Sequence, residues 1–179
     1  MKKNKAVILF LLRFFVSYFV LSGIYQWYLH SNQQIYPTYS CCGITELVTN
    51  HTVSLGKTIG YSFDSQQSTD ELSYQLLINE VNVARIVEGC NSVSIIILFW
   101  AFIIAFAGSW QKTLVFGLIG SFLIYSLNIV RIIFIALALN KYPNHSHILH
   151  QIVFPAIIYG FTFMLWVIWV RFFANTNKK

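Results

Sequence analysis

The sequence predicts an all-α integral membrane protein with about four transmembrane helices and one acidic extracytoplasmic loop. Three observations carry that expectation. The chain is 56% hydrophobic and only 10% charged, where a soluble domain carries roughly a quarter charged residues. All six acids (Glu46, Asp64, Asp70, Glu71, Glu80 and Glu88) fall in the one polar stretch between His30 and Gly89. The apolar remainder divides into four runs separated by that stretch and by two short connectors.

The first run, about residues 6–28, is AVILFLLRFFVSYFVLSGIYQWY, preceded by MKKNK. Its 23 residues, at about 1.5 Å each, reach across a hydrocarbon core of roughly 30 Å. The run is too long for the apolar core of a signal peptide and ends without a small-x-small cleavage site, so it reads as a retained anchor. Arg13 within it either snorkels or faces another helix. The remaining spans fall at about 92–107, 113–139 and 150–173, joined by GSWQK and NKYPNHSHIL. The whole chain, 1–179, reads as a single membrane domain.

The outer loop, about residues 31–89, is too long for a linker. TELVTNHTVSLGKTI has helical spacing, and YQLLINEVNVARIVEG reads as a hairpin, with Val81, Val83 and Ile86–Val87 partly alternating. The loop therefore holds a short helix plus a hairpin. A sequence pI near 9.3 raises nucleic acid as a partner, but the bases stand singly at helix ends rather than in a stripe. They read as topology charges, which leaves the lipid bilayer as the partner and nucleic acid excluded. Lys2, Lys3, Lys5, Lys112, Arg171, Lys178 and Lys179 all fall on one side if four helices alternate, which makes both termini cytoplasmic.

With that topology, unusual residues acquire a depth. Cys90 lies at the outer end of the second span. Arg131 lies in the third, about eight residues or roughly 12 Å before its outer end. Asn128 is three residues earlier, on the same helix face. His145, His147 and His150 sit in the outer turn and at the start of the fourth span. A thiol, a guanidinium and an imidazole from three helices thus converge on one membrane face.

Two readings stand for Cys90: a small buried hydrophobe, or a nucleophile whose thiolate is favoured by a helix N-terminus. Glu88 opposes a thiolate if adjacent, so its side chain is expected to point elsewhere. An arginine inside a span costs about 2.5–3.5 kcal/mol on insertion scales. No span contains an acid to pair with Arg131. Snorkelling and hydrogen bonding to helix carbonyls compete with a role as a fixed charge for an oxyanion or a substrate carboxylate. In HSHILH, His147 and His150 share a helical face, a spacing that suits a metal. No carboxylate or second cysteine accompanies them in the spans, so no metal and no cofactor is expected. His150 alone supplies a general base for Cys90. The adjacent Cys41 and Cys42 form a strained disulfide or stay free, and their role stays open.

EGCNSVS opening one helix, SLNIVRI within the next and a histidine opening the last together resemble the exosortase/archaeosortase family. The resemblance is closest to the short F-type exosortases of Bacteroidetes and covers roughly residues 77–173. It implies a bacterial inner-membrane cysteine protease or transpeptidase with Cys90 as nucleophile, Arg131 as oxyanion or positioning cation, and His150 as acid/base. Asn128 is then a supporting residue that orients Arg131. The implied partners are exported proteins bearing a C-terminal transmembrane sorting tail, with transfer to an amine acceptor. Two positions depart from the family pattern. Asn91-Ser92 stand where a Ser-Gly-type pair follows the cysteine, and Gln151 follows His150 in place of an acid. The second departure leaves the orienting partner of His150 unassigned and keeps His147 as the alternative. A non-enzymatic transport, metal-handling or assembly subunit using HSHILH is the competing class. On the expected topology, a reporter fused after Lys179 is cytoplasmic and one inserted near Asn79 is extracytoplasmic. Protease protection on membrane vesicles reads both, and an external C-terminus overturns the orientation.

Overall fold

The computed structural model describes residues 2–34, 39–106, 108–141 and 154–174. The chain is mostly helical. It runs α1 (Lys2–Asn32), α2 (Gly43–Thr58), β1 (Phe63–Gln67), β2 (Ser73–Ile78), β3 (Val81–Val87), a 3₁₀ turn (Glu88–Cys90), α3 (Val93–Ala105), α4 (Trp110–Lys141) and α5 (Phe154–Ile168). A π-helical turn, Trp169–Phe173, follows α5. Among the described residues, Val7–Asn32, Trp110–Lys141 and Pro155–Phe173 are long and apolar enough to cross a membrane.

Two sequence expectations are corrected here. The second predicted span, about 92–107, becomes α3 with 13 residues, roughly 20 Å of helix at 1.5 Å per residue. That falls short of a hydrocarbon core by itself, so among the described residues three helices are long enough to cross and the fourth expected crossing is not shown. The all-α label also fails for the polar stretch 31–89, which contains a three-stranded antiparallel sheet in the order β1-β2-β3. The hairpin was legible in the sequence, whereas β1, FDSQQ, has too few apolar residues to announce itself.

The chain forms two compact units. One comprises most of α1, α3, the first half of α4 and most of α5. Its core is Phe99, Ile103, Ile124, Leu165 and Trp169, surrounded by further aromatic rings. Gly117 of α4 lets the Trp100 ring lie directly on the helix backbone, and the indole N–H donates to Ser121 Oγ at 2.9 Å. α1 leaves Val7, Leu12, Phe19 and Trp27 exposed, an outward apolar surface that suits lipid.

The other unit holds α2, the sheet, the 3₁₀ turn and the second half of α4. Val48 of α2, Phe63, Leu76, Ile78 and Ile86 of the sheet, and Ile129, Ile132, Ile133 and Ala136 of α4 make one core. The buried stripe of α2 is largely threonine: Thr45, Val48, Thr49, Thr52 and Gly56. Thr49 and Thr52 donate their hydroxyls to the carbonyls of Thr45 and Val48, each at 2.8 Å. The stripe therefore satisfies much of its own polarity and packs as an apolar face. Asn79 and Glu80 close the β2–β3 hairpin with φ of 50° and 66°. This two-residue turn with both centres left-handed matches the twist of the strands it joins.

Gly56 packs against the Phe63 ring, where an added Cβ meets a ring carbon at 2.5 Å. Overpacking of this kind costs about 1–3 kcal/mol, while Gly→Ala within a helix returns up to about 1 kcal/mol. Gly56→Ala is expected to lower stability by a net of about 1 kcal/mol, read as a lower midpoint in thermal unfolding of the detergent-solubilised protein.

Candidate functional site

Cys90 ends the 3₁₀ turn that follows β3, and its position is set by ties on both sides. Two residues earlier, the Glu88 carboxylate accepts the Cys42 backbone N–H at 2.8 Å, the Cys42 thiol at 2.9 Å and the Thr45 hydroxyl at 2.5 Å. Asn91 Nδ2 adds a longer contact at 3.4 Å. Cys42 is the N-cap of α2 and makes no side-chain cap of its own. Glu88 therefore caps α2 from a distance, placing a negative charge at the positive end of the helix dipole. The Glu88 side chain is thus engaged by Cys42, Thr45 and Asn91.

The second tie comes from α4. Asn128, 1% exposed, donates its amide to the Cys90 carbonyl at 2.6 Å. The hydrogen bond that Asn128 makes thus goes to the cysteine backbone and not to Arg131. Beyond Cys90, Ser92 has φ 63°, a left-handed conformation costly for a residue with a Cβ. Its hydroxyl donates to the Asn91 carbonyl at 2.6 Å.

Cys90 and Arg131 line the same cavity, of about 320 Å³. Four consecutive strand residues, 84–87, form part of its lining, as do Ile132, Ile135 and Leu139 beside Arg131 on α4. Glu71 also lines it and pairs with Arg85 at 2.6 Å. Both members of that pair are well exposed, so it shapes the rim more than it adds stability. The Arg131 Nε is buried and has no hydrogen-bond partner among the described residues. A buried guanidinium nitrogen facing no acceptor is costly, and a carbonyl oxygen in this cavity would meet that need.

The three thiols occupy different environments. Cys41 and Cys42 are buried and not bonded to one another. Burial, followed by the Glu88 charge and the neighbouring Cys42, pushes the Cys41 thiol up to about 12. Burial and the hydrogen bond to Glu88 raise Cys42 above the ordinary cysteine value. Both stay protonated and inert. Cys90 is half-buried and free.

His147 and His150 lie outside the described residues, so their distance from Cys90 is not part of this geometry. A different imidazole does belong to this unit: His51 Nδ1 lies 2.7 Å from the Tyr125 hydroxyl on α4. A wider, open depression of about 810 Å³ lies at the hairpin end, among Lys57, Tyr61, Asp64, Asn79 and Glu80. Its lining contains neither cysteine nor histidine and is largely polar surface.

Sequence reasoning did not find the Glu88–Cys42–Thr45 network or the Glu71–Arg85 rim. The available signal was that Glu88 is the last acid before the apolar stretch and sits two residues from Cys90. Comparison with protein-family models, with curated proteins and with solved structures gives no match.

Burial works against ionisation of Glu88, but the donors from Cys42, Thr45 and Gln33 outweigh it and lower its pKa below the ordinary 4.5. The folded state then binds this proton more weakly than the unfolded chain. The stabilisation is complete above pH 4.5 and is lost as pH falls through the depressed folded value. The melting midpoint is expected to drop on acidification below pH 4.5. Glu88→Gln is expected to start lower and to show less of that drop, and an unchanged acid limb in the variant would remove Glu88 from the account.

Proposed function

We propose that the protein is a membrane-embedded, sortase-like cysteine peptidase or transpeptidase. In this reading it cleaves the C-terminal sorting tail of exported proteins at the outer face of the inner membrane, and a new amine takes up the released acyl group. The observation that carries the reading is the shared cavity of Cys90 and Arg131, with the Cys90 carbonyl held by Asn128.

The chemistry follows from those residues. The Cys90 thiolate attacks the scissile carbonyl carbon, and the carbonyl π electrons move to oxygen. Arg131 stabilises that oxyanion, which an acid-free span leaves it able to do. An imidazole, assigned to His150 with His147 as the alternative, takes the thiol proton and returns it to the departing amine. The product is a thioester on Cys90, which water or an acceptor amine then cleaves, regenerating the thiol. The reading takes Cys90 to lie at the outer interface, as the sequence topology with both termini cytoplasmic expects, where a substrate arriving as a membrane helix presents its extended junction.

The backbone at Ser92 also supports the resemblance. The related pattern carries a Ser-Gly-type pair after its cysteine, and position 92 is left-handed here, the conformation that glycine adopts without strain.

Cys90→Ala is expected to abolish maturation of a co-expressed tail-bearing reporter while the protein still inserts. Arg131→Ala is expected to slow it by about 10²–10³-fold, in line with loss of an oxyanion donor. Gel mobility of the reporter and membrane fractionation of the variants read both. Normal processing with either substitution rules the enzyme reading out.

A further inference from the structure

β3 is an edge strand of the sheet, paired with β2 on one side, and the cavity at Cys90 runs along its other side. Successive residues of a strand point to opposite faces. A cavity lined by four in a row, 84–87, therefore touches the strand along its backbone edge.

The direction of the unpaired groups follows from the ladder. Ser68 N–H donates to the Ser73 carbonyl at 2.9 Å, so Ser73 turns its carbonyl towards β1 and away from β3. Its β3 partner Val87 is consequently in a non-hydrogen-bonded pair, and by alternation so is Arg85 opposite Gln75. The main-chain N–H and C=O of Arg85 and the N–H of Val87 thus face outward into the cavity, while the Val87 carbonyl, at the N-cap of the 3₁₀ turn, is turned to that turn's first hydrogen bond. No other backbone bond engages the three outward groups among the described residues. Ile132, Ile135 and Leu139 supply an apolar stripe of α4 to the same cavity.

We infer that β3 is the docking edge for the substrate, which binds as an extended fourth strand antiparallel or parallel to it. This rests on the peptidase reading above and names how that site recognises its peptide. Main-chain hydrogen bonds to Arg85 and Val87 supply affinity without side-chain sequence, and the α4 stripe takes an apolar side chain. The occupant is a peptide because β3 leads directly through Val87 and the 3₁₀ turn to Cys90. A strand paired on that edge extends towards the thiol. Arg131 matches the negative charge that develops on the peptide carbonyl.

The test uses the full-length protein in detergent and an Ac-Thr-Val-Thr-Val chloromethyl ketone, whose chloride is displaced by a thiolate to leave a thioether. Cys90 labelling is read by mass spectrometry against labelling by iodoacetamide, which has no main chain to dock. N-methylation of the probe at successive positions is expected to slow labelling about tenfold at alternate residues only, the effect of losing one or two main-chain hydrogen bonds. Val87→Pro, which removes an outward donor, is expected to slow the peptidyl probe similarly and leave iodoacetamide labelling unchanged. Peptidyl labelling indifferent to N-methylation, as when another segment of the chain covers this edge, overturns the docking mode and leaves the nucleophile reading standing. Failure of both reagents to label Cys90 overturns both.

Discussion

The Glu88 carboxylate is the interaction on which the unit that holds α2 and the sheet depends. It closes the N-terminus of α2, holds two buried side chains of that helix, and anchors the turn that carries Cys90. A carboxylate taken out of water is unfavourable unless several donors meet it, and here a backbone N–H, a thiol and a hydroxyl do so. Its ionisation also keeps Cys42 a thiol, because the S–H is one of the donors that stabilise the charge. Losing Glu88 would therefore leave the end of α2 without this cap and the Cys90 turn held chiefly by the strand and by Asn128.

The membrane character was legible because it is a property of composition and run length. The apolar runs at the start and in the later part of the chain reappear as α1, α4 and α5. The helix over TELVTNHTVSLGKTI was legible because threonines at helical spacing form the buried stripe. The hairpin was legible because Asn79 sits between two apolar runs, where a left-handed turn is inexpensive. The second apolar run, about 92–107, reappears as α3 to within two residues at each end, whereas the left-handed backbone at Ser92 just before it leaves no trace in hydropathy. β1 was hidden for a similar reason: only Phe63 of its five residues is fully buried.

At the site, helix periodicity put Asn128 and Arg131 on one face, and the structure keeps Arg131 with Cys90 around one cavity. The partner of Asn128 could not be read, because a side-chain bond to a backbone carbonyl 38 residues away leaves no trace in spacing. Nor could the sequence rank the three thiols. Cys41 and Cys42 are adjacent in a polar stretch of the sequence, yet burial beside an anion makes them poor nucleophiles. Their neighbour in space, Glu88, comes from a distant part of the sequence, and only the fold brings it there.

Two unfavourable features gather around Cys90. Arg131 sits in a long apolar helix with its Nε buried and unpartnered among the described residues, an insertion cost of about 2.5–3.5 kcal/mol. Ser92 holds a left-handed backbone, worth about 1–3 kcal/mol of strain. Against a folding stability of about 5–15 kcal/mol, these are large. Packing alone gives no reason for them, since a leucine at 131 and a glycine at 92 would relieve both. Local rules broken this close to one thiol fit the proposed site. Among the described residues the cavity at Cys90 also leaves a strand edge unpaired beside the thiol, which a purely structural fold would do better to cover.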